Sequence, residues 1–299
     1  MASAASHPPA FWALAALFGR RPDLTRKETT YDREDPDEVD RETVEALKTA
    51  VKSGYRHIDA AQMYKSESEV GLALQESGLP RSEVFLTTKT TDLDDVELAL
   101  EKSLARLKTS YVDMYLIHSP FVAKSEKHLQ SAWQAMEQCV QRGLARYIGV
   151  SSFAIQHVAS ILQVATIRPA VNQIEMHPYL QQPELITYLR EQSIALEGFA
   201  ALTPLTKEKG GPVDATCNLL AKQYGVSSSA ILLRWVMDQD AVVVTTSGKA
   251  DRLRDILAET RLFKLAPQEV VAVSEAAGHK SFRGFFADDF KAFGGNLAE

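Results

Sequence analysis

Short apolar runs alternate along the chain with longer stretches whose apolar residues recur every three or four positions. The short runs are Tyr55–Ile58, Val84–Thr88, Val112–Ile117, Tyr147–Val150, Ala170–Ile174, Ala195–Ala200 and Ala241–Thr245. Their length and β-prone content predict buried strands. Between them lie amphipathic stretches that predict helices. Val39–Ser53 places Val44, Leu47 and Val51 on one face and stops at Gly54. Glu67–Gln75 is preceded by Ser66, which with Glu69 matches a capping box. Thr91–Lys108 is acidic at its front and basic at its back, as a helix dipole favours. Lys124–Arg142 carries Leu129, Trp133, Met136 and Val140 as a stripe and ends at Gly143. Ala154–Val164, Pro183–Gln192, Thr216–Tyr224, Ser228–Asp238 and Asp251–Ala258 follow, and Leu265–Ala277 gives one more helix.

A strand–helix unit thus recurs at roughly the length of a βαβ repeat. Such alternation predicts an α/β fold with a parallel sheet, best fitted by a (β/α)8 TIM barrel. An open doubly wound sheet is the alternative. No G-x-G-x-x-G follows the first clear strand, which counts against a dinucleotide-binding domain of that kind. Residues 1–37 form a divergent, partly disordered N-terminal segment, and residues 38–299 the barrel with a C-terminal substrate loop. Within the first segment, Phe11–Gly19 is apolar enough for a short strand or helix, whereas Arg20–Asp37 is charged and aperiodic and reads as loop. The barrel is therefore expected to have an irregular or incomplete first strand.

Composition narrows the function classes. The 299 residues are 45% hydrophobic and 24% charged, enough for a large core without a disulfide or metal. A net charge of −6 without long basic runs argues against nucleic-acid binding. The two cysteines, Cys139 and Cys217, form no CxxC pair, so no metal site is expected and a reducing, cytoplasmic setting is. No segment is long enough to span a bilayer. The apolar stretch Phe11–Phe18 is followed, not preceded, by basic residues, the reverse of a signal peptide.

The chemistry-bearing residues fall at the ends of successive β-units. Asp59 closes the first clear strand, and Tyr64 sits on the loop beyond it. Lys89 ends the next, His118 the third, and Ser151 and Ser152 the fourth. In a barrel these ends converge on one face. A lone tyrosine is usually a packing residue with a satisfied hydroxyl. An ammonium nearby would favour its phenolate, and a carboxylate would hold that ammonium charged. His7, His57, His128, His157, His177 and His279 are read as structural or exposed. Met63 and Trp133 are read as packing residues. Glu175 and His177 lie near the barrel face with no assigned role.

This constellation resembles the aldo-keto reductase superfamily, in its fungal NADPH-dependent type. The resemblance rests on GYRHIDAAQMY, TTK, YVDMYLIHSP, GLARYIGVSSF, NQIEMHPYL and TTSGKADRL, in that order, from about Gly54 to about Leu253. It implies reduction of an aldehyde or ketone by hydride transfer from NADP(H), with Tyr64 as proton donor, Lys89 and Asp59 supporting it, and a neutral His118 orienting the carbonyl. It also implies that Ser151, Ser152 and Gln173 hold the nicotinamide carboxamide. Ser152 replaces the usual Asn. Leu202 stands where an aromatic ring usually stacks on the nicotinamide from the seventh strand end. Thr203 and Leu205 lie along the pyrophosphate. Thr246 and Ser247 replace a usual Lys-Ser, Arg252 is kept, and Lys249 takes over the lost charge beside a 2′-phosphate.

The Gly-Thr-rich turn expected after the first strand is missing upstream of Glu38. The implied partner is a small-molecule carbonyl, with no nucleic acid and no membrane, and the implied state is a monomer. The tail, with Phe282, Phe285, Phe286, Phe290 and Phe293, is expected to line an apolar substrate site. The TPLTK and TTSGK loops are closer to fungal members that reduce ketones or cyclic diketones than to sugar reductases. Two other readings stay open: a non-catalytic nucleotide-binding barrel with a regulatory or scaffold role, and a ketoreductase dedicated to one natural-product pathway.

Overall fold

The computed structural model describes the backbone of Leu14–Leu17 and residues 39–247 and 249–293. Eight parallel strands join in chain order into a closed barrel. They are β1 (Leu14–Leu17), β2 (His57–Asp59), β3 (Phe85–Thr90), β4 (Val112–Ile117), β5 (Ala145–Ser151), β6 (Val171–Glu175), β7 (Ala195–Phe199) and β8 (Ala241–Thr245). The barrel thus has the (β/α)8 architecture that the alternating pattern predicts. Its first strand has only four residues and pairs with β2 through Ala16 opposite Ile58 and Leu17 opposite Asp59. The apolar stretch Phe11–Gly19 therefore contributes a strand, not a helix. The expectations for Arg20–Asp37, for His7 and for the missing turn lie outside the described residues.

The chain divides into two compact units. One spans Ala15–Ala170 and Thr246–Ala250. It holds β2 to β5 and the helices α1 (Arg41–Lys52), α2 (Glu67–Ser77), α3 (Val96–Leu107), α4 (Glu126–Gln141) and α5 (Ile155–Leu162). Every residue of β4 is buried, because the strand packs on both faces and has no polar side to show water. Val44, Leu47, Ala50 and Val51 bury one face of α1, as the spacing predicts. Trp133 is fully buried on α4, and its indole N–H donates to the Ile167 carbonyl at 3.1 Å. Gly71 of α2 meets α3 so closely that a Cβ there would lie 2.6 Å from the Arg106 carbonyl oxygen.

The capping box expected at Ser66 does not form. Its side chain makes no cap hydrogen bond, and Glu69 instead accepts from the Asp40 backbone N–H at 2.9 Å. The longer-range contact wins because Glu69 is buried against the start of α1.

The other unit includes Val171–Thr245 and Asp251–Glu299. It holds β6 to β8 with α6 (Pro183–Glu191), α7 (Thr203–Thr206), α8 (Val213–Tyr224), α9 (Ser228–Met237), α11 (Pro267–Ala276) and α12 (Ala287–Ala292), besides most of α10 (Ala250–Leu262). The tail expected as loop carries α12, whose Phe290 is buried. Strands β6 and β7 pair from Val171 opposite Ala195 to Glu175 opposite Phe199. Helix α9 is buried nearly all round, including the ion pair of Arg234 with Asp238. Among the described residues, no helix is long and apolar enough to cross a membrane.

Candidate active site

Side chains on a strand alternate between its two faces, and β2 and β3 use that parity to build the site. Asp59 pairs with Thr87 in register, and β3 continues two residues further to Lys89. On one face, His57 Nε2 lies 2.8 Å from Thr87 Oγ1, and one layer beyond it Lys89 Nζ donates to Asp59 Oδ1. On the other face, Thr88 donates to Glu67 at 2.6 Å and Thr90 to Gln62 at 2.8 Å. The Lys89 and Asp59 side chains are both 0% exposed. A buried ammonium is tolerable only with such a partner. Lys89 also donates to the Ala60 carbonyl at 3.1 Å.

Tyr64 closes a single 3-10 turn, Gln62–Tyr64, that leaves the end of β2. Lys65 terminates the turn in the left-handed conformation, with φ 50°. The turn is fastened by Gln62, whose amide donates to the Ala99 carbonyl at 2.8 Å and to Ser103 at 3.2 Å while its carbonyl accepts from Thr90. Sequence reasoning gives Gln62 no role. A polar residue two before a candidate acid is the signal it leaves in the sequence. So held, the Tyr64 hydroxyl lies 3.5 Å from Lys89 Nζ, and the ammonium sits 5.0 Å from the phenol ring centroid. Met63, read as packing, is exposed beside it.

His118 follows β4, and its backbone N–H extends the ladder to the Thr90 carbonyl at 2.8 Å. Its ring stands edge-on to that of Tyr64, with centroids 5.5 Å apart at 88°. Burial, and secondarily the Lys89 charge, push its pKa down from 6.5 to about 3, so the imidazole is neutral at pH 7. Among the described residues its buried Nδ1 meets no hydrogen-bond partner. Asp59, Tyr64, Lys89 and His118 thus come together within one unit, as expected. His57 and His157 are also held neutral, each pushed down to about 4 by burial, and both serve structure. His57 meets Thr87, and His157 Nδ1 accepts from the Ala154 N–H at 3.1 Å.

The residues expected around a cofactor lie in both units. In the unit of the tetrad, Ser151 ends β5 and is buried, and Ser152 follows it in the left-handed region at φ 60°. Thr246 is exposed and Ser247 buried on the segment after β8, and Ser247 Oγ accepts from the Lys249 N–H at 3.1 Å. In the other unit, Gln173 is buried on β6 and donates to Glu197 of β7 at 2.8 Å. Arg252 is exposed on α10. Thr203 is buried in α7, and Leu205 is half-buried.

Strand β7 ends at Phe199, one residue earlier than the sequence pattern suggests. Leu202, expected at that strand end, instead lies at the N-terminus of α7. The aromatic residue at the end of β7 is therefore Phe199, half-buried and packed edge-on against Phe285 at 5.3 Å. Counting from the loop rather than from the paired strand hides it. Among the described residues, no group of three or more His, Cys, Asp or Glu side chains is placed to hold a metal ion.

The sequence model of the Aldo/keto reductase family matches residues 30–277. The chain is 37% identical over 233 residues to the NAD/NADP-dependent indole-3-acetaldehyde reductase of Schizosaccharomyces pombe, covering 77% of this chain and 82% of that protein. It is 38% identical over 249 residues to the NADPH-dependent alpha-keto amide reductase of Saccharomyces cerevisiae, covering 78% of each. Among solved structures, an aldo-keto reductase of Bombyx mori in complex with NADP is similar at a TM-score of 0.76 and 30% identity, over 91% of this chain and 92% of that one.

Proposed function

We propose that this chain, which belongs to the aldo/keto reductase family, reduces an aldehyde or ketone to the alcohol with NADPH, using Tyr64 as the acid. The observation that carries this reading is the Lys89 ammonium 3.5 Å from the Tyr64 hydroxyl, itself held by a buried Asp59. NADPH, when bound, supplies the hydride that reaches the carbonyl carbon. As that happens, negative charge grows on the carbonyl oxygen, and Tyr64 gives it a proton. The phenolate left behind faces an ammonium that stabilises it. Asp59 keeps Lys89 charged and fixed. His118, neutral at pH 7, is able to donate an N–H to the same oxygen and aim it at Tyr64.

The residues present fit the cofactor by their chemistry. Ser151 at the end of β5 and Ser152 just after it carry hydroxyls suited to a carboxamide, and Gln173 on β6 adds an amide already oriented by Glu197. Leu202, at the start of α7, offers an apolar face to the nicotinamide, and Phe199 adds an aromatic one at the end of β7. Lys249 and Arg252 would supply the positive charge for a 2′-phosphate, and Thr203 and Leu205 would meet the pyrophosphate. The C-terminal stretch with its phenylalanines forms the substrate side. The protein acts as a cytoplasmic monomer on an apolar carbonyl compound.

The test follows NADPH absorbance across a panel of aldehydes and ketones, with wild type and Tyr64→Phe. The wild type is expected to turn over at least one carbonyl, and the variant to lose on the order of 10²–10⁴ in kcat while binding NADPH as before. Tight NADPH binding without turnover of any carbonyl would refute the proposal in favour of a non-catalytic barrel.

A further inference from the structure

Lys89 is flanked on β3 by two threonines, Thr88 and Thr90, whose side chains point to the opposite face of the strand. Two residues before Tyr64 in the chain is Gln62, and three after it is Glu67. The two pairs meet. Thr88 Oγ1 donates to Glu67 Oε1 at 2.6 Å, and Thr90 Oγ1 donates to Gln62 Oε1 at 2.8 Å. The turn that carries the phenol is therefore pinned before and after Tyr64, to the residues on either side of the ammonium.

Glu67 is the first residue of α2, yet its side chain is only 1% exposed. Arg106 of α3 pairs with it, donating from Nε to Oε2 at 2.7 Å with Nη2 2.5 Å from the same oxygen. A charged acceptor of this kind takes stronger hydrogen bonds than a neutral one. Arg106 Nη2 also donates to Ser103 Oγ at 3.3 Å, and Gln62 Nε2 donates to that same oxygen at 3.2 Å. The contacts thus close a ring, from Thr88 through Glu67, Arg106, Ser103 and Gln62 to Thr90, and Lys89 is the strand residue between its two ends. Thr88, Thr90 and Ser103 are fully buried in it. Gly71, one turn along α2 from Glu67, keeps the two helices close enough for the ion pair, since a Cβ there would lie 2.6 Å from the Arg106 carbonyl oxygen.

We propose that Glu67 is a positioning residue for the proton donor: held by Arg106 and Thr88, it works with Gln62 to set the distance between the Tyr64 hydroxyl and the Lys89 ammonium. This rests on the reading that Tyr64 is the acid. Glu67 acts from behind β3 and through the turn, not on the reacting atoms. The hydroxyl and the ammonium lie 3.5 Å apart. An opposite charge that close favours a phenolate, and the effect weakens as the two groups separate. Titratable neighbours of the phenol include Lys89, the Asp59 that pairs with it, and the neutral ring of His118. Loss of a pin therefore makes Tyr64 a weaker acid and lets it drift from the carbonyl oxygen it serves.

The experiment compares wild type with Thr88→Val, Thr88→Ser and Glu67→Gln. It follows the titration of Tyr64 by NMR of protein labelled at the tyrosine Cζ carbon, with Tyr64→Phe assigning the signal and neither cofactor nor substrate present. It also measures kcat, KM, NADPH affinity and Tm. Thr88→Val keeps the branched shape of a strand residue but removes the donor to Glu67. Its Tyr64 titration should move up by about one pH unit. Its kcat should fall about 10-fold, inside the roughly 100-fold that a misplacement of about 1 Å costs. KM and NADPH affinity should change by less than about 2-fold. Glu67→Gln, which loses the ion pair with Arg106, should act in the same direction. Thr88→Ser, which keeps the hydroxyl, should restore most of both quantities. In a Lys89→Met/Asp59→Asn background, Thr88→Val should leave the Tyr64 titration where it is, because no ammonium remains to be placed.

A Tyr64 titration unmoved by Thr88→Val would overturn the proposal whatever happens to kcat or Tm, and would leave Glu67 a purely structural acid. The same shift in the background without Lys89 would overturn it too. Should Glu67→Gln or that background fail to fold, Thr88→Val set against Thr88→Ser decides. A wild type that oxidises NADPH with no carbonyl would refute the reductase reading, while the titration, read without cofactor or substrate, still decides the role of Glu67.

Discussion

Replacing Lys89 by Met separates what the buried pair does for folding from what it does for chemistry. Lys89 and Asp59 are both 0% exposed. Without the ammonium, the buried Asp59 carboxylate loses its ion pair with Lys89. It has to stay as a buried anion without that pair or take up a proton, and protonating an ordinary carboxyl at pH 7 costs about 4 kcal/mol. That sits within the roughly 3–5 kcal/mol seen when one member of a buried pair is removed. For a chain of this size the loss is roughly 5–10 °C in Tm. The deficit should shrink by about 1.4 kcal/mol per pH unit as pH is lowered toward 4, because the folded variant holds a proton that the unfolded chain lacks.

Pairing the change with Asp59→Asn removes the stranded charge, and most of the lost stability should return. Activity should not return. Both variants leave the Tyr64 hydroxyl without a cation at 3.5 Å, and kcat should stay about 10²–10⁴ below wild type. Thermal unfolding monitored by circular dichroism at pH 5, 6 and 7, alongside NADPH oxidation, gives both quantities. Recovery of turnover in the double variant would refute the assignment of Lys89 as the group that supports the phenol. A single variant as stable as wild type at pH 7 would refute the energetic argument.

Other expectations follow from neighbouring features. Gln62→Ala frees the turn that carries Tyr64, so kcat should fall about 10-fold with little change in NADPH affinity, a split that steady-state kinetics resolves. Gly71→Ala drives a methyl group into the backbone of α3 and should cost about 1–3 kcal/mol by urea unfolding. His118 should show no protonation by NMR between pH 5 and 8, since its pKa is pushed down to about 3. The sign for stability follows. The unfolded chain takes up a proton near pH 6.5 that the folded chain refuses until about pH 3, so this residue adds to acid destabilisation across that window. His57 and His157, each near 4, act in the same sense.

The strand pattern was legible because most barrel strands are buried on both faces and read as continuous apolar runs, as β4 shows. The tetrad was legible because an acid, a phenol, an ammonium and an imidazole at successive strand ends have few bland explanations together. Features that depend on side chains meeting across elements were not. Ser66 carries the residue type of a cap but makes no cap bond, and the Glu69 carboxylate accepts from the N–H of Asp40, 29 positions away. Phe199 was passed over because the end of β7 is set by its pairing with Glu175, which no local pattern reports. The helix Ala287–Ala292 escaped notice since its six residues lack a periodic stripe, and burial of Phe290 holds it.

The parity of β3 makes insertions uneven in their consequences. Adding one residue between Phe85 and Thr87 would turn the strand inside out from that point: the ammonium would face α2 and the wall of helices, while a threonine hydroxyl would be offered to Asp59. Adding two would restore the sidedness but move Lys89 a full layer along the barrel axis. Extra length is accordingly best absorbed by the turn at residues 78–83 that precedes the strand, where added residues leave the ordering of its faces intact.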